Sequence, residues 1–100
     1  VGVVANEADL DLPQAFTVSE VYPNPATDAV TVRVSLPVLG LVTSEMFDVL
    51  GRRVATLPAG EMAAGVHELT LGTDRLAPGL YFLVVRAGTA QFSRSAVVIR

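Results

Sequence analysis

Short segments in which apolar and polar residues alternate recur along this chain, and turn residues separate them. In the clearest of them, AVTVRVSL, apolar side chains take every second position, at Val30, Val32, Val34 and Leu36. A period of two is the pattern of a β-strand that buries one face. The turn signals recur about every 8–12 residues, a spacing typical of β-sandwiches. Because no segment has the pattern of a helix of ordinary length, the sequence predicts an all-β fold.

Seven strands are predicted, and residues 1–13 are predicted to be a linker or arm ahead of a domain at 14–100. Seven short strands without helices favour an immunoglobulin-like antiparallel β-sandwich, with a small Greek-key barrel as the alternative. The predicted strands are Phe16–Tyr22, Ala29–Leu36, a segment within Val42–Gly51, Arg53–Leu57, Val66–Leu71, a segment within Leu76–Gly88, and Ala90–Ile99.

The second half of the chain carries more local predictions. Pro58–Gly65, rich in glycine and alanine, is predicted to form a loop with room for one helical turn at Glu61–Ala64. The segment Tyr81–Val85 is apolar on both faces, which favours a strand in the middle of a sheet. In the last strand the apolar residues change from even to odd positions after Phe92. A bulge or a change of sheet is therefore predicted at Ser93–Ser95.

Two prolines, Pro23 and Pro25, stand between the first two predicted strands. Proline has no amide hydrogen to give to a strand ladder, and it restricts the residue before it to extended conformations. The pair is therefore predicted to end the first strand and to hold the connector extended. It should also keep that edge from pairing with another chain.

Composition and charge exclude several classes of function. The formal net charge is −3, and all 7 basic residues are arginine without clustering, which disfavours a nucleic-acid-binding surface. No apolar run approaches the roughly 18 residues of a membrane helix, so no stable membrane insertion is expected. The chain has no cysteine and hence no disulfide. Its start, VGVVANEADLDLP, lacks the features of a signal peptide, so if the domain is exported, the signal is expected upstream on a longer protein.

Candidate catalytic and metal-binding residues are few. His67 is the one histidine and has no cysteine partner, so a zinc site is not expected. It alternates with leucines, which predicts a place at the rim of the core. The sequence has no lysine-bearing phosphate loop and no tryptophan on which a sugar could stack. The residues predict neither an enzyme nor a cofactor site. A calcium site in loops stays open as an alternative, from Asp9, Asp11, Glu20 and Asp28.

Tyr81 follows the turn Leu76–Leu80 at the start of the predicted central strand. Immunoglobulin-like sandwiches place a tyrosine at such a position and bond its hydroxyl to nearby backbone, in an arrangement called the tyrosine corner. A structural role of this kind is predicted for Tyr81.

Segments spread along the whole chain carry a resemblance to a known family. They are LPQAF (12–16), VYPNPATDAVTVRVSLP (21–37), FDVLGRRVATL (47–57), AAGVHELTL (63–71) and LAPGLYFLVVRAG (76–88). In this order they resemble the C-terminal sorting domain of the type IX secretion system of Bacteroidetes-type bacteria. They are also similar to the related immunoglobulin-like domain of the flagellar hook-cap protein. The resemblance runs from Leu12 to Arg100.

The resemblance implies that the domain directs a passenger enzyme or adhesin from the periplasm through the outer-membrane translocon to the cell surface or medium. A sortase-like peptidase commonly cuts just before such domains, which corresponds here to Val1–Leu12. The translocon is expected to dock an exposed edge or end loop of the sandwich, as in β-augmentation, with the last strand as the expected contact. The implied contact residues are Gly79, Tyr81, Gly88, Arg94, Val97, Val98, Ile99 and Arg100. The motif residues with an implied structural role are Pro23, Asn24, Pro25, Asp48, Gly51 and Arg52.

The chain also departs from the family pattern. Ala26–Asp28 follows the Pro-Asn-Pro triplet in place of a common Phe-Asn-Pro, and Ser44 stands where an apolar core residue is usual. Both departures bear on packing. Arg94 stands where lysine is common, which keeps the charge but changes its geometry. Two other functions stay open, an accessory carbohydrate-binding module and a structural spacer, because a fold alone does not fix a function.

Overall fold

The computed structural model of the chain describes residues 15–99, apart from the side chains at positions 58 and 59. All strand pairs are antiparallel, in a three-stranded sheet of order β1-β2-β5 and a four-stranded sheet of order β4-β3-β6-β7. This confirms the predicted immunoglobulin-like antiparallel β-sandwich, while the predicted arm at 1–13 lies outside the described residues. The seven strands are β1 (Thr17–Val18), β2 (Ala29–Leu36), β3 (Gly40–Asp48), β4 (Arg53–Met62), β5 (Gly65–Gly72), β6 (Gly79–Ala87) and β7 (Ala90–Val98).

The core lies between the two sheets and is built mainly of aliphatic side chains. Alternation along β2 places every second residue inward, as its sequence predicts. Each buried valine or leucine stabilises the fold by about 1.5–3 kcal/mol relative to an exposed one. The described part of the chain contains no helix that is long and apolar enough to cross a membrane. The largest fully buried apolar side chains are Met46, Leu83, Val30, Val32, Val34, Val85 and Val98.

The burial of β3, which the sequence leaves ambiguous, is settled by its inward side chains Val42, Ser44 and Met46. Ser44 therefore stands in the core, as its family position implies. Its Oγ is buried and has no hydrogen-bond partner among the described residues. A hydroxyl in such a place lowers stability, because its bonds to water are lost without replacement.

The loop predicted at Pro58–Gly65 is wrong, and so is its helical turn, because β4 continues to Met62. Leu57 pairs with Ser44 and Gly60 with Val42, so residues 58 and 59 fall in a shift of the strand register. Such an irregularity on an edge strand accommodates a proline without loss of a ladder hydrogen bond. The composition pointed to a loop because proline, glycine and alanine are uncommon in strands, whereas the pairing with β3 resumes beyond Pro58.

The bulge predicted at Ser93–Ser95 is also wrong. The β6–β7 register runs without a shift from Gly79↔Val98 to Ala87↔Ala90. The inward face of β7 is continuous, but it includes a charged residue, Arg94, whose side chain is largely covered. The odd-numbered apolar residues near the end of β7 point outward and are exposed. The apparent change of face therefore comes from reading Arg94 as a solvent-facing residue.

The predicted central strand is β6, which lies between β3 and β7. One of its faces, with Tyr81, Leu83 and Val85, is buried against the other sheet. On its other face Phe82 is exposed, so this strand is apolar on a side that no other layer covers. The predicted place in the middle of a sheet is confirmed, and only one face of the strand is buried.

The connector with the two prolines differs from its prediction. β1 already ends at Val18, although Tyr22 still forms a bridge with Thr31. The Tyr22-Pro23 and Asn24-Pro25 peptide bonds are cis, and the chain bends at residues 23–25 instead of running extended. The connector then crosses to the other sheet, where Ala26 forms a parallel bridge with Val98.

Candidate functional site

Segments that are far apart in sequence meet at one end of the four-stranded sheet. Asp48 at the end of β3 pairs with Tyr81 at the start of β6, and Gly79 pairs with Val98 at the end of β7. Apolar side chains that no other part of the described structure covers surround this meeting point. We call them the end surface, which consists of Val49, Leu50, Leu80, Phe82, Val97 and Ile99.

The β3–β4 turn is built around the carboxylate of Asp48. Asp48 Oδ1 accepts hydrogen bonds from the backbone N–H groups of Leu50 and Arg52, both at 2.9 Å. Its Oδ2 accepts one from Arg52 Nε at 2.8 Å. Gly51 has φ of 82°, a left-handed conformation that side-chain-bearing residues rarely adopt. The motif residues Asp48, Gly51 and Arg52 therefore fix the turn, as the resemblance implies for a structural role.

Two further arginines bind Glu45 on the outer face of the sheet, Arg53 just after this turn and Arg86 farther along β6. Glu45 accepts a hydrogen bond from Arg53 Nη1 at 2.9 Å through Oε2, and one from Arg86 Nη1 at 2.5 Å through Oε1. Glu45 is thus shared by two guanidinium groups. The sequence does not reveal this cluster, because its members lie on β3, β4 and β6.

Hydrogen bonds lower the pKa of both carboxyl groups. For Asp48 the main cause is the backbone N–H of Arg52, and for Glu45 it is the side chain of Arg53, followed by that of Arg86. A carboxyl whose pKa is lower in the folded protein stabilises the fold above its unfolded pKa. That stability is lost as the pH falls through the folded pKa.

We therefore expect acid to weaken the fold from about pH 4–5 downward, where carboxyl groups of unfolded chains begin to take up protons. The urea midpoint should be lower at pH 3 than at pH 7, and the difference should shrink in Asp48→Asn, which cannot titrate at this position. An equal pH dependence in wild type and Asp48→Asn would contradict this account.

The Pro-Asn-Pro motif lies against the outer edge of β7. Val97 N–H donates to Asn24 Oδ1 at 2.9 Å, while Ala26 N–H donates to the Val97 carbonyl at 2.7 Å and Ile99 N–H to the Ala26 carbonyl at 2.8 Å. Asn24 Nδ2 also donates to the Ser95 carbonyl, at 3.5 Å. We call Asn24, Pro25 and Ala26 the Asn24–Ala26 strap. It occupies the last part of the β7 edge, which the sequence predicts to be open.

Tyr81 confirms the predicted tyrosine corner. Its ring is buried and its hydroxyl donates to the Ala77 carbonyl at 2.5 Å. The bond ties the β5–β6 connection to the start of β6, where Gly79 pairs with Val98. Tyr81 thus supports the end surface from below and does not form part of its exposed face.

The other residues implied as translocon contacts divide by position. Val97 and Ile99 belong to the end surface, whereas the side chain of Val98 is buried in the core. Gly88, with φ of 59°, lies in the β6–β7 turn at the opposite end, beside an apolar groove of about 320 Å³. Arg100 lies outside the described residues.

Arg94 lies between the two sheets, away from the end surface. Its Nη2 and Nε donate to the Val18 carbonyl at 2.8 Å and 3.2 Å, and its Nη1 donates to the Ser93 carbonyl at 3.0 Å. The guanidinium carbon is 5.2 Å from the centre of the Phe92 ring. These contacts join β7 of one sheet to β1 of the other, so they give Arg94 a clear part in closing the sandwich.

Four members of the end surface were not among the candidates from the sequence: Val49, Leu50, Leu80 and Phe82. The available signal was the pair of apolar residues inside the turn sequence DVLGR, since turns usually carry polar residues. For Leu80 and Phe82 the signal was a strand that is apolar on both faces.

The described residues contain no group of three or more His, Cys, Asp or Glu side chains that could hold a metal ion. Of the calcium alternative, Asp9 and Asp11 lie outside the described range. His67 Nε2 donates to the Ala63 carbonyl at 2.7 Å, at the short connection between β4 and β5. It is half-buried on the same face as Leu69 and Leu71, which agrees with its prediction as a residue at the rim of the core.

Comparison with known proteins adds to this geometry. A search of curated proteins found no match to the chain. Residues 20–100 match the family described as the secretion system C-terminal sorting domain, which is the sorting signal for type IX secretion. This match spans β2 to β7, the Asn24–Ala26 strap and every residue of the end surface. The chain therefore belongs to the secretion system C-terminal sorting domain family.

Proposed function

We propose that this sorting domain binds the outer-membrane translocon through its end surface, with Val97 and Ile99 of the last strand in the contact. One observation carries the proposal. Val98 is held in the core and the Asn24–Ala26 strap holds the backbone on either side of it, so Val97 and Ile99 are fixed pointing outward. Exposed apolar patches on folded domains commonly serve as interaction sites.

The strap limits the ways in which a partner can bind the last strand. β-Augmentation needs free backbone N–H and C=O groups on an edge strand. The Val97 N–H and C=O groups and the Ile99 N–H already bond to the strap. Recognition by side chains of the end surface is therefore favoured over the addition of a strand along this part of β7.

The family also bears on the fate of the protein. A sorting signal for type IX secretion implies export to the cell surface or the extracellular space, together with contact with the secretion machinery. A sorting signal is not itself catalytic. We further propose that the N-terminal passenger is an enzyme or adhesin and that a sortase-like peptidase cuts within Val1–Leu12. The family match favours this role over a carbohydrate-binding module or a structural spacer.

The test uses a fluorescent passenger fused before Val1 and exported into the periplasm of a type IX-secreting bacterium. In the double variant Val97→Ser/Ile99→Ser we expect the passenger outside the outer membrane to fall roughly tenfold, which corresponds to about 1.4 kcal/mol of lost binding. The missing passenger should accumulate in the periplasm. Deleting Val97–Arg100 would be a poorer test, because it also removes Val98 from the core.

The matched control is Val66→Ser, which changes an exposed valine on β5 of the other sheet. It should export like the wild type. Urea unfolding of each purified fusion shows whether the variants still fold. Normal export of a folded Val97→Ser/Ile99→Ser protein would overturn the proposal.

A further inference from the structure

The most exposed apolar residues of the end surface lie on its most strongly fixed turn. Val49 is 64% and Leu50 is 74% exposed, the latter more than any other large apolar residue of the described chain. The turn that carries them is closed by the three hydrogen bonds to Asp48 and by the backbone bonds Gly51 N–H to the Asp48 carbonyl and Asp48 N–H to the Arg52 carbonyl. The Asp48 carboxylate and the backbone groups of the turn are thus bonded within it, while the aliphatic side chains of Val49 and Leu50 are exposed.

Rigidity of this kind is relevant to binding. A backbone that is already held in place loses little conformational freedom when a partner covers the turn. A turn that served only to reverse the chain would gain solubility from polar residues at positions 49 and 50. The pairing of a fixed backbone with two exposed aliphatic side chains therefore indicates a contact site.

In the two ion pairs at the turn, the arginine is much more exposed than its carboxylate partner. The side chain of Arg52 is 72% exposed, whereas that of its partner Asp48 is only 13% exposed. Arg53 and Glu45 show the same contrast, at 61% and 19%. A partner that approaches the turn therefore meets guanidinium groups, with the carboxylates behind them. Opposite charge on the partner would complement this surface and speed its association.

We propose that Val49 and Leu50 form the anchor that the domain inserts into an apolar pocket of the translocon, and that acidic residues at the rim of that pocket face Arg52 and Arg53. This inference rests on the proposed function and adds the chemistry of the partner site. Only β6 separates the anchor from the last strand, because Asp48 pairs with Tyr81 and Tyr81 with Ala96 of β7. One partner surface can therefore cover both Leu50 and Val97.

The first arm of the test is the double variant Val49→Ser/Leu50→Ser in the same passenger fusion. We expect export to fall roughly tenfold or more, as happens when a central apolar anchor of an interface is lost. The matched control is Val38→Ser/Leu39→Ser, which changes two equally apolar and exposed residues of the β2–β3 loop at the opposite end. It should export normally.

The second arm tests the charge of the pocket rim. Arg53→Glu should reduce export roughly as strongly, since it would place a carboxylate against acidic residues. Arg33→Glu is the control, because Arg33 is similarly exposed on the three-stranded sheet. Normal export of Arg53→Glu would overturn the proposal that the rim of the pocket carries acidic residues.

The outcomes separate this inference from the proposed function. If Val97→Ser/Ile99→Ser blocks export but a folded Val49→Ser/Leu50→Ser protein exports normally, the anchor is refuted and the end surface stands. If both exposed pairs can be replaced without effect, the proposed function fails as well. Urea unfolding of each fusion again identifies variants that have lost the fold. If Val49→Ser/Leu50→Ser has lost the fold, Val49→Ala/Leu50→Ala takes its place in the export assay. This variant removes most of the apolar area with less risk to the turn, so its export decides whether the anchor exists.

Discussion

Leu83→Ala is expected to lower the free energy of unfolding by about 2–5 kcal/mol, the range for leucine-to-alanine changes in well-packed cores. Leu83 is fully buried on the central strand β6, where it pairs with Met46 on one side and Arg94 on the other. A domain of this size has a total stability of roughly 5–15 kcal/mol, so the loss is a large fraction. Urea unfolding at neutral pH measures it.

The matched control is Leu80→Ala on the same strand. Leu80 is exposed and belongs to the end surface, so its removal should change stability by only about 0.5 kcal/mol. In export assays Leu80→Ala should lower export although the domain stays folded, because Leu80 belongs to the end surface. Similar unfolding energies for the two variants would contradict the packing described here.

Arg94→Met is expected to cost about 1.5–3 kcal/mol, the range for a hydrogen bond that involves a charged group. Methionine keeps much of the aliphatic length but cannot donate to the carbonyl of Val18, which then loses its guanidinium partner. The junction between β1 and β7 should loosen as a result. The quantity to measure is again the free energy of unfolding in urea.

Arg33→Met provides the comparison, because Arg33 is exposed and its ion pair with Glu68 is long, at 4.0 Å. Exposed pairs contribute about 0–1 kcal/mol, so this variant should be nearly as stable as the wild type. Equal stability of Arg94→Met and Arg33→Met would mean that Arg94 does not hold the sheets together. In that case its role as a direct translocon contact would regain support.

Much of the fold follows from local pattern. The alternation in β2 gives its buried face directly, and the position of Tyr81 after a turn predicts both its strand and its hydroxyl bond. These features depend on residues close together in sequence, where the period of two is a reliable guide. The resemblance of the whole chain to sorting domains supplied the function, which neither composition nor any single motif contained.

The errors arise where tertiary contacts override local signals. Pro58 indicates a loop, yet β4 continues past it because β3 pairs again beyond the shift in register. Arg94 looks like a surface residue, but the Val18 carbonyl and the Phe92 ring give it partners inside the sandwich. The Val18 carbonyl cannot be identified as a partner without knowing that β1 and β7 lie next to each other.

The residues that the resemblance implied as translocon contacts lie in several different parts of the fold. The resemblance pointed to Val97 and Ile99, which the structure places together on the outside. It also pointed to Gly88, at the opposite end, and to Val98, in the core. Val49 and Leu50 could not be joined to Val97 from the sequence, because their proximity depends on the pairing of β3 with β6 and of β6 with β7.

The bond between Asn24 and Val97 joins residues separated by 73 positions in the chain. A polypeptide broken off before residue 97 has nothing for the Asn24–Ala26 strap to hold, and it also lacks Val98 in the core. Such a fragment cannot assemble the end surface, even though most of its strands are present. The end surface, which is the translocon contact under our proposal, is therefore complete only in molecules that are fully synthesised and folded.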